Sequence, residues 1–258
     1  MADLIGFTSI SLLFLFTLLL AKRFPSISNI LFIALISRVL LIIFGHYVTP
    51  LPDSTADART FHFTAVYMSN EGFSYVFSRF EGPSPLFISW VLAIPYSLFG
   101  KSILMAQTIS LLFGIGSIIL GWKIACEIWN DKVGRKVAWT IALFPSLALY
   151  SVLVLRETYM VFFLLLALYG ITLWVKTNSF KSILIAIFGF TSATFFHGAM
   201  IVGGIIFTTI VGVISFIRFI KSLKSYYFDY KSFILITIYV ISLGLYLTNK
   251  ISVPYLGT

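Results

Sequence analysis

Charge is scarce in this chain, and negative charge scarcest of all. Only 10% of its 258 residues are Asp, Glu, Lys or Arg, and just nine of them are acidic. Soluble domains carry roughly 25% charged residues and about 45–50% apolar ones, so a fold surrounded by water is excluded. The single cysteine, Cys126, excludes an intrachain disulfide and a cysteine-based metal cage. It falls in an apolar segment and reads as a buried, inert thiol. No repeat, low-complexity tract or soluble domain is visible, and residues 1–258 read as one transmembrane domain. Residues 4–20 are apolar, but Asp3 precedes them and Lys22-Arg23 follow. That is the reverse of a signal peptide's charge order and predicts a first helix with its N-terminus outside.

What the chain does have is apolar mass: 59% hydrophobic residues and a mean hydropathy of +1.02. Runs of about 20 apolar residues cross a bilayer as helices, because only there can the backbone satisfy its own hydrogen bonds. An all-α polytopic membrane protein is expected, with eight spans at 4–20, 28–48, 103–124, 137–155, 158–175, 182–197, 199–218 and 232–249. The net charge of +9 does not point to nucleic acid, because the basic residues are scattered between apolar runs. Twelve of the eighteen fall in clusters at 22–23, 123–136, 176–181 and 218–231, which the positive-inside rule places in the cytoplasm. The stretch 49–102 and the junctions at 156–157 and 197–198 are then outside, with the active face on the extracytoplasmic side of a plasma (inner) membrane.

The segment LFISWVLAIPYSLFG, 86–100, resists simple counting. Treated as a span, it would move every later basic cluster to the outside. It is short, carries Pro95, and has Trp90 and Tyr96 as interfacial aromatics. Such runs lie on or fold back into a membrane more often than they cross it. A helix against the outer face is expected, with a second over the aromatic stretch 58–80.

Polar residues on that outer side are the candidates for chemistry. Asp53 and Asp57 follow the second span. Asp57, Ser54 or Thr55 could cap the helix that runs on from Ala58, or the two carboxylates could supply a general base, since partial desolvation raises a carboxylate's pKa. Their i, i+4 spacing puts both on one face if the helix begins early, and Pro52 suits a first turn. The two carboxylates could also hold Mg²⁺ or Mn²⁺, with His62 as a further ligand for a softer ion and Glu157 as another acidic candidate. Arg156-Glu157 interrupt a long apolar stretch and are expected at the outer turn of a helical hairpin. Arg offers a planar fork for phosphate oxygens. Arg38, in mid-span, is either a structural partner or a lipid-phosphate contact. His197 marks an outer helix end, as cap or site residue. Lys101 and Arg59 could meet a phosphate or the headgroups.

The ordered set of stretches then resembles the GT-C superfamily of polyprenyl-phosphate-sugar-dependent glycosyltransferases, in the branch similar to protein mannosyltransferases and aminoarabinose transferases. SRVLLIIFGHYV leads into DARTFHFTA, which looks like the family's Asp-x-x-x-aromatic-x-x-x-Ala pattern. GPSPLFISWVLAIPYSLFGKS resembles its proline-containing juxtamembrane helix. ALFPSLALYSVLVLRETYMVFFLLLALY is similar to its Pro-x-x-x-x-Tyr-Ser segment followed by an acid. The resemblance implies a GT-C-like core over 28–200 with juxtamembrane helices in the outer loop 49–102. It implies inverting transfer of a sugar from a polyprenyl-phosphate donor to an acceptor hydroxyl on a glycan, lipid or protein, as in glycosylation or the making of cell-envelope polysaccharide. Asp57 matches the motif acid and would be the base, with Asp53 just ahead of it. Arg156 would neutralise the departing phosphate, and Glu157 would orient the acceptor or a metal. The span at 4–20 is additional to the family's pattern. A polymerase or ligase of lipid-linked glycans is the nearest alternative. A lipid or solute transporter is less well matched, because no paired halves are visible.

Overall fold

The computed structural model describes residues 1–224 and Thr237. Two compact units divide the chain, Met1–His197 and Gly198–Thr258. In the first, α1 (Ala2–Arg23) and a 3-10 turn (Pro25–Ile27) lead to α2 (Ser28–Tyr47), α3 (Asp57–Asn70), α4 (Phe73–Ser78) and α5 (Phe87–Phe99). Next come α6 (Ile103–Ile128), α7 (Asp131–Leu143), α8 (Pro145–Tyr150), α9 (Arg156–Thr177) and α10 (Phe180–Phe196). The second unit holds α11 (Met200–Lys224), whose buried Phe207, Val211, Ser215 and Ser222 recur on one face. The span expected at 232–249 lies outside the described residues.

The protein is helical, with no strand among the described residues. Five helices are long and apolar enough to cross a membrane: α1, α2 with its leading turn, α6, α9 and α11. Outward-facing Leu12, Leu15, Leu19, Ile36 and Leu40 are exposed, as a lipid-facing surface requires. At 17 residues, α10 is at the lower limit for a span. The expected span 137–155 is not one helix. Pro145 has no N–H to donate and forces Phe144 into an extended conformation (φ −63°, ψ 119°). So α7 stops at Leu143, and a broken connection runs through α8 and the buried Val152–Leu155.

The 26-residue α6 is the axis, with α1, α2, α7 and α9 packed on it. It starts at Ser102, whose hydroxyl caps the Met105 amide. Between membrane helices there is little hydrophobic drive, and close backbone approach at small residues replaces it. A Cβ on Gly170 would strike the backbone of Ser182 and Ala186, and one on Gly189 the backbone of Ala167. These contacts lock α9 to α10.

The two ends of this unit differ in charge. Lys123 lies over the rings of Phe24 and Tyr169, and Lys176 bonds Glu127 at 2.7 Å. Arg23, Lys123, Arg135, Lys176 and Lys181 thus gather toward one end. At the other end, Asp3 meets His46 at 3.6 Å, and Gly6 abuts Ser102 and Leu104. Helix α5 has both its ends here: Phe87 packs on Phe195 and Phe196, and Gly100 lies against Ile5. Its 13 residues reach only about 20 Å, so α5 lies across the non-basic end and does not traverse the bundle.

Reporter fusions after Gly82 and after Lys101 should therefore give the same-side signal, and a fusion after Asn130 the opposite one. Opposite signals from 82 and 101 would mean that α5 crosses.

Candidate functional site

Helix α9 is the element that carries Arg156 and Glu157, and its placement follows from two contacts. Tyr159 Oη lies 3.1 Å from Ser110 Oγ, and Lys176 reaches Glu127. Both pairs are 49 residues apart, so α9 runs parallel to α6 in constant register. That register sets Arg156 level with Gln107, five residues below Ser102, or about 7 Å at 1.5 Å per residue. Arg156-Glu157 are therefore not the turn of a hairpin. They open α9, recessed below the non-basic end, while residues 144–155 make the reversal. Glu157 in a first helical turn is favoured by the helix dipole.

A cavity of about 30 Å³ lies beside them, lined by Arg38, Ser117, Tyr150, Ser151, Glu157 and Thr158 among others. It has room for a water or for a ligand oxygen. Glu157 Oε1 is 3.7 Å from Arg156 Nε, while its buried Oε2 has no hydrogen-bond partner. Tyr150 bridges to the loop after α2: its hydroxyl donates to Asp53 Oδ2 at 3.3 Å. The Asp53 carboxylate, and less strongly Glu157, push the Tyr150 phenol above its ordinary pKa. The Tyr150 carbonyl accepts from Thr158 Oγ1 at 2.8 Å, which ties it to the start of α9.

Arg38 lies beneath this group. It is 1% exposed, and no carboxylate is within ion-pair distance of it among the described residues. Nε donates to Ser151 Oγ at 2.8 Å, Nη1 to the Ala34 carbonyl and Nη2 to the Ile141 carbonyl, both at 3.3 Å. Ile141 is four residues before Pro145, so its carbonyl is the one that the proline leaves without an amide donor. Arg38 supplies that donor. Of the two roles weighed for it, the structural partnership is the one occupied.

The expected site residues thus separate into two sets. Asp53, Arg156, Glu157 and Arg38 come together around Tyr150 and the cavity. Asp57 and Arg59 are exposed on α3 and make no side-chain hydrogen bond or ion pair. The aspartates do not share a helical face, because α3 begins only at Asp57 and Asp53 is in a turn with φ +61°. Pro52 likewise belongs to that turn. His62 faces Tyr96, with Nδ1 2.8 Å from the hydroxyl. Lys101 bonds the Asn70 side-chain oxygen, and exposed His197 ends α10. No three His, Cys, Asp or Glu side chains gather in a metal-holding group among the described residues. Asp53, Asp57 and Glu157, the carboxylates considered for Mg²⁺ or Mn²⁺, are not joined in such a group. Tyr150, Ser151 and Thr158 were not marked as site residues by their sequence, although Tyr150-Ser151 stand in the Pro-x-x-x-x-Tyr-Ser stretch.

No family model, curated protein or solved structure matches the chain.

Burial holds the His62 pKa below its ordinary value near 6.5. The unfolded chain therefore takes up the proton first as pH falls. The α3–α5 contact should be fully stable above about pH 6.5 and weaken below it. Hydrogen exchange of α3 at pH 7.5 and pH 5.5 should show this loosening, and His62→Gln should flatten the difference.

Proposed function

We propose that this protein is a membrane glycosyltransferase, transferring a sugar from a polyprenyl-phosphate-linked donor to an acceptor hydroxyl with inversion. The supporting observation is a cavity lined by Tyr150 and Glu157, with Asp53 hydrogen-bonded to the first and Arg156 paired with the second, recessed below the non-basic end of the bundle. An isoprenoid tail in the bilayer would bring its phosphate to that depth, where a guanidinium can meet it with two parallel hydrogen bonds. By the positive-inside rule the non-basic end is extracytoplasmic.

In this reading Asp57 is the base. Its carboxylate has no protein donor, so its lone pairs are open to an acceptor hydroxyl. The proton passes to Asp57 as the acceptor oxygen bonds to the anomeric carbon. The bond from that carbon to the carrier phosphate breaks, and its electron pair stays on the phosphate oxygen. Attack from the side opposite the leaving group inverts the configuration. Arg156 stabilises the charge developing on the phosphate, in a recess where such stabilisation is stronger than in water. Asp53, anchored by Tyr150, and Glu157 border the acceptor side. Arg59, Lys101 and His197 are supporting groups at the same end. Glycan, lipid and protein hydroxyls would all serve this chemistry.

The second reading is a lipid-linked glycan polymerase or ligase. It is favoured by one feature: Arg156, and not Asp57, is paired with a residue that lines the cavity. Parallel substitutions separate the two. With purified protein and labelled polyprenyl-phosphate sugar, Asp57→Asn should cut carrier release by about 10²-fold or more, and Arg156→Ala by a comparable factor. Both variants should remain folded in the membrane. Near-normal release by Asp57→Asn, alongside loss in Arg156→Ala, would remove Asp57 from the mechanism and move the assignment to the polymerase or ligase.

A further inference from the structure

We propose that Arg38 is a positioning residue, which holds the broken connection between α7 and α9 in the shape that presents Tyr150 and Arg156-Glu157. Two observations carry this. The first is the Ile141 carbonyl, which Pro145 deprives of its helical donor and which receives Arg38 Nη2 instead. The second is Ser151, which accepts from Arg38 Nε while donating to the Ala148 carbonyl. One guanidinium therefore closes the end of α7 and fixes the residue next to Tyr150. Ser151 also packs on Gly114 of α6, where a Cβ would collide with it, so the connection has little room to shift. A cation near a helix C-terminus is favourable as well, because the last carbonyls carry partial negative charge. Lysine at position 38 would keep the charge and lose the fork that serves separate acceptors at once.

Arg38 itself is buried beneath the site, where it forms part of the cavity wall, and it bears on Tyr150 through the neighbouring Ser151. The shape of the connection is independent of the activity proposed above, while its effect on rate rests on that reading. The experiment therefore has two arms.

In the first arm, Val152, 0% exposed, is replaced by Cys in a Cys126→Ala background, and its reaction with a small maleimide is timed in detergent. Arg38→Leu should speed labelling by about tenfold or more, a change in opening equal to one hydrogen-bond-scale loss. Arg38→Lys and Ser151→Ala should fall between it and the parent. These milder variants decide the matter if Arg38→Leu does not fold. Unchanged labelling in the folded variants would overturn the proposal.

The second arm measures transfer from labelled polyprenyl-phosphate sugar. Arg38→Lys should lower kcat by about tenfold with donor KM nearly constant, as expected when geometry in the transition state is lost. A raised KM with unchanged kcat would mean that Arg38 meets the donor, and would overturn the positioning role. If the parent protein itself shows no transfer, the proposed activity fails and the labelling arm alone decides the role of Arg38.

Discussion

A buried guanidinium answering an orphaned carbonyl is the interaction on which the arrangement of this molecule depends. Pro145 ends α7 inside an apolar stretch and leaves the Ile141 carbonyl without its amide partner. An unsatisfied carbonyl within hydrocarbon costs several kcal/mol. Arg38 at the centre of a span costs about 2.5–3.5 kcal/mol on the insertion scale. Neither is stable alone. Brought together with Ser151 and Ala34, they make three charge-assisted hydrogen bonds, which satisfy the carbonyl and the guanidinium together. The chain thereby reverses direction through α8 and the buried Val152–Leu155.

That reversal determines what can meet at the non-basic end. A continuous helix over 137–155 would have put Arg156 and Glu157 in a turn at the surface. The break instead starts α9 lower down, parallel to α6, and aims the Tyr150 hydroxyl at the loop after α2. The Asp53 carboxylate is there because its backbone takes a left-handed turn, a conformation that Asp adopts more readily than most residues. Helices α3, α4 and α5 cover this end, held by aromatic contacts of Trp90 with Phe77, Phe80 and Phe87. Arg38 forms part of the lining of the recess beneath them.

Much of this was legible in residue order. Length and hydropathy located α1, α2, α6, α9 and α11 to within a few residues, because a helix in lipid has few alternatives. The shortness and Pro95 of 86–100 set that segment apart from the spans. The run 137–155 misled for a physical reason: averaged hydropathy does not register a missing amide. Pro145 was in plain view, but its consequence needed a partner from α2, 103 residues away from Ile141. Tyr150, Ser151 and Thr158 were opaque because hydroxyls are common in membrane helices, where most bond their own backbone, as Thr17 does to Leu13 and Thr172 to Leu168. The aspartates were grouped by spacing, and spacing carries no information once a turn with positive φ separates them.

The convergence of the 48–57 loop with the start of α9 can be measured without assuming any activity. A benzophenone-bearing phenylalanine analogue placed at position 150 should, on irradiation in the native membrane, join to the peptide containing Asp53. Mass spectrometry of the digest reads the product directly. Capture of residues 48–57 is the result expected from the Tyr150–Asp53 contact. Capture of residues from the basic end, such as the Glu127–Arg135 turn, would contradict the fold of the site and the function built on it.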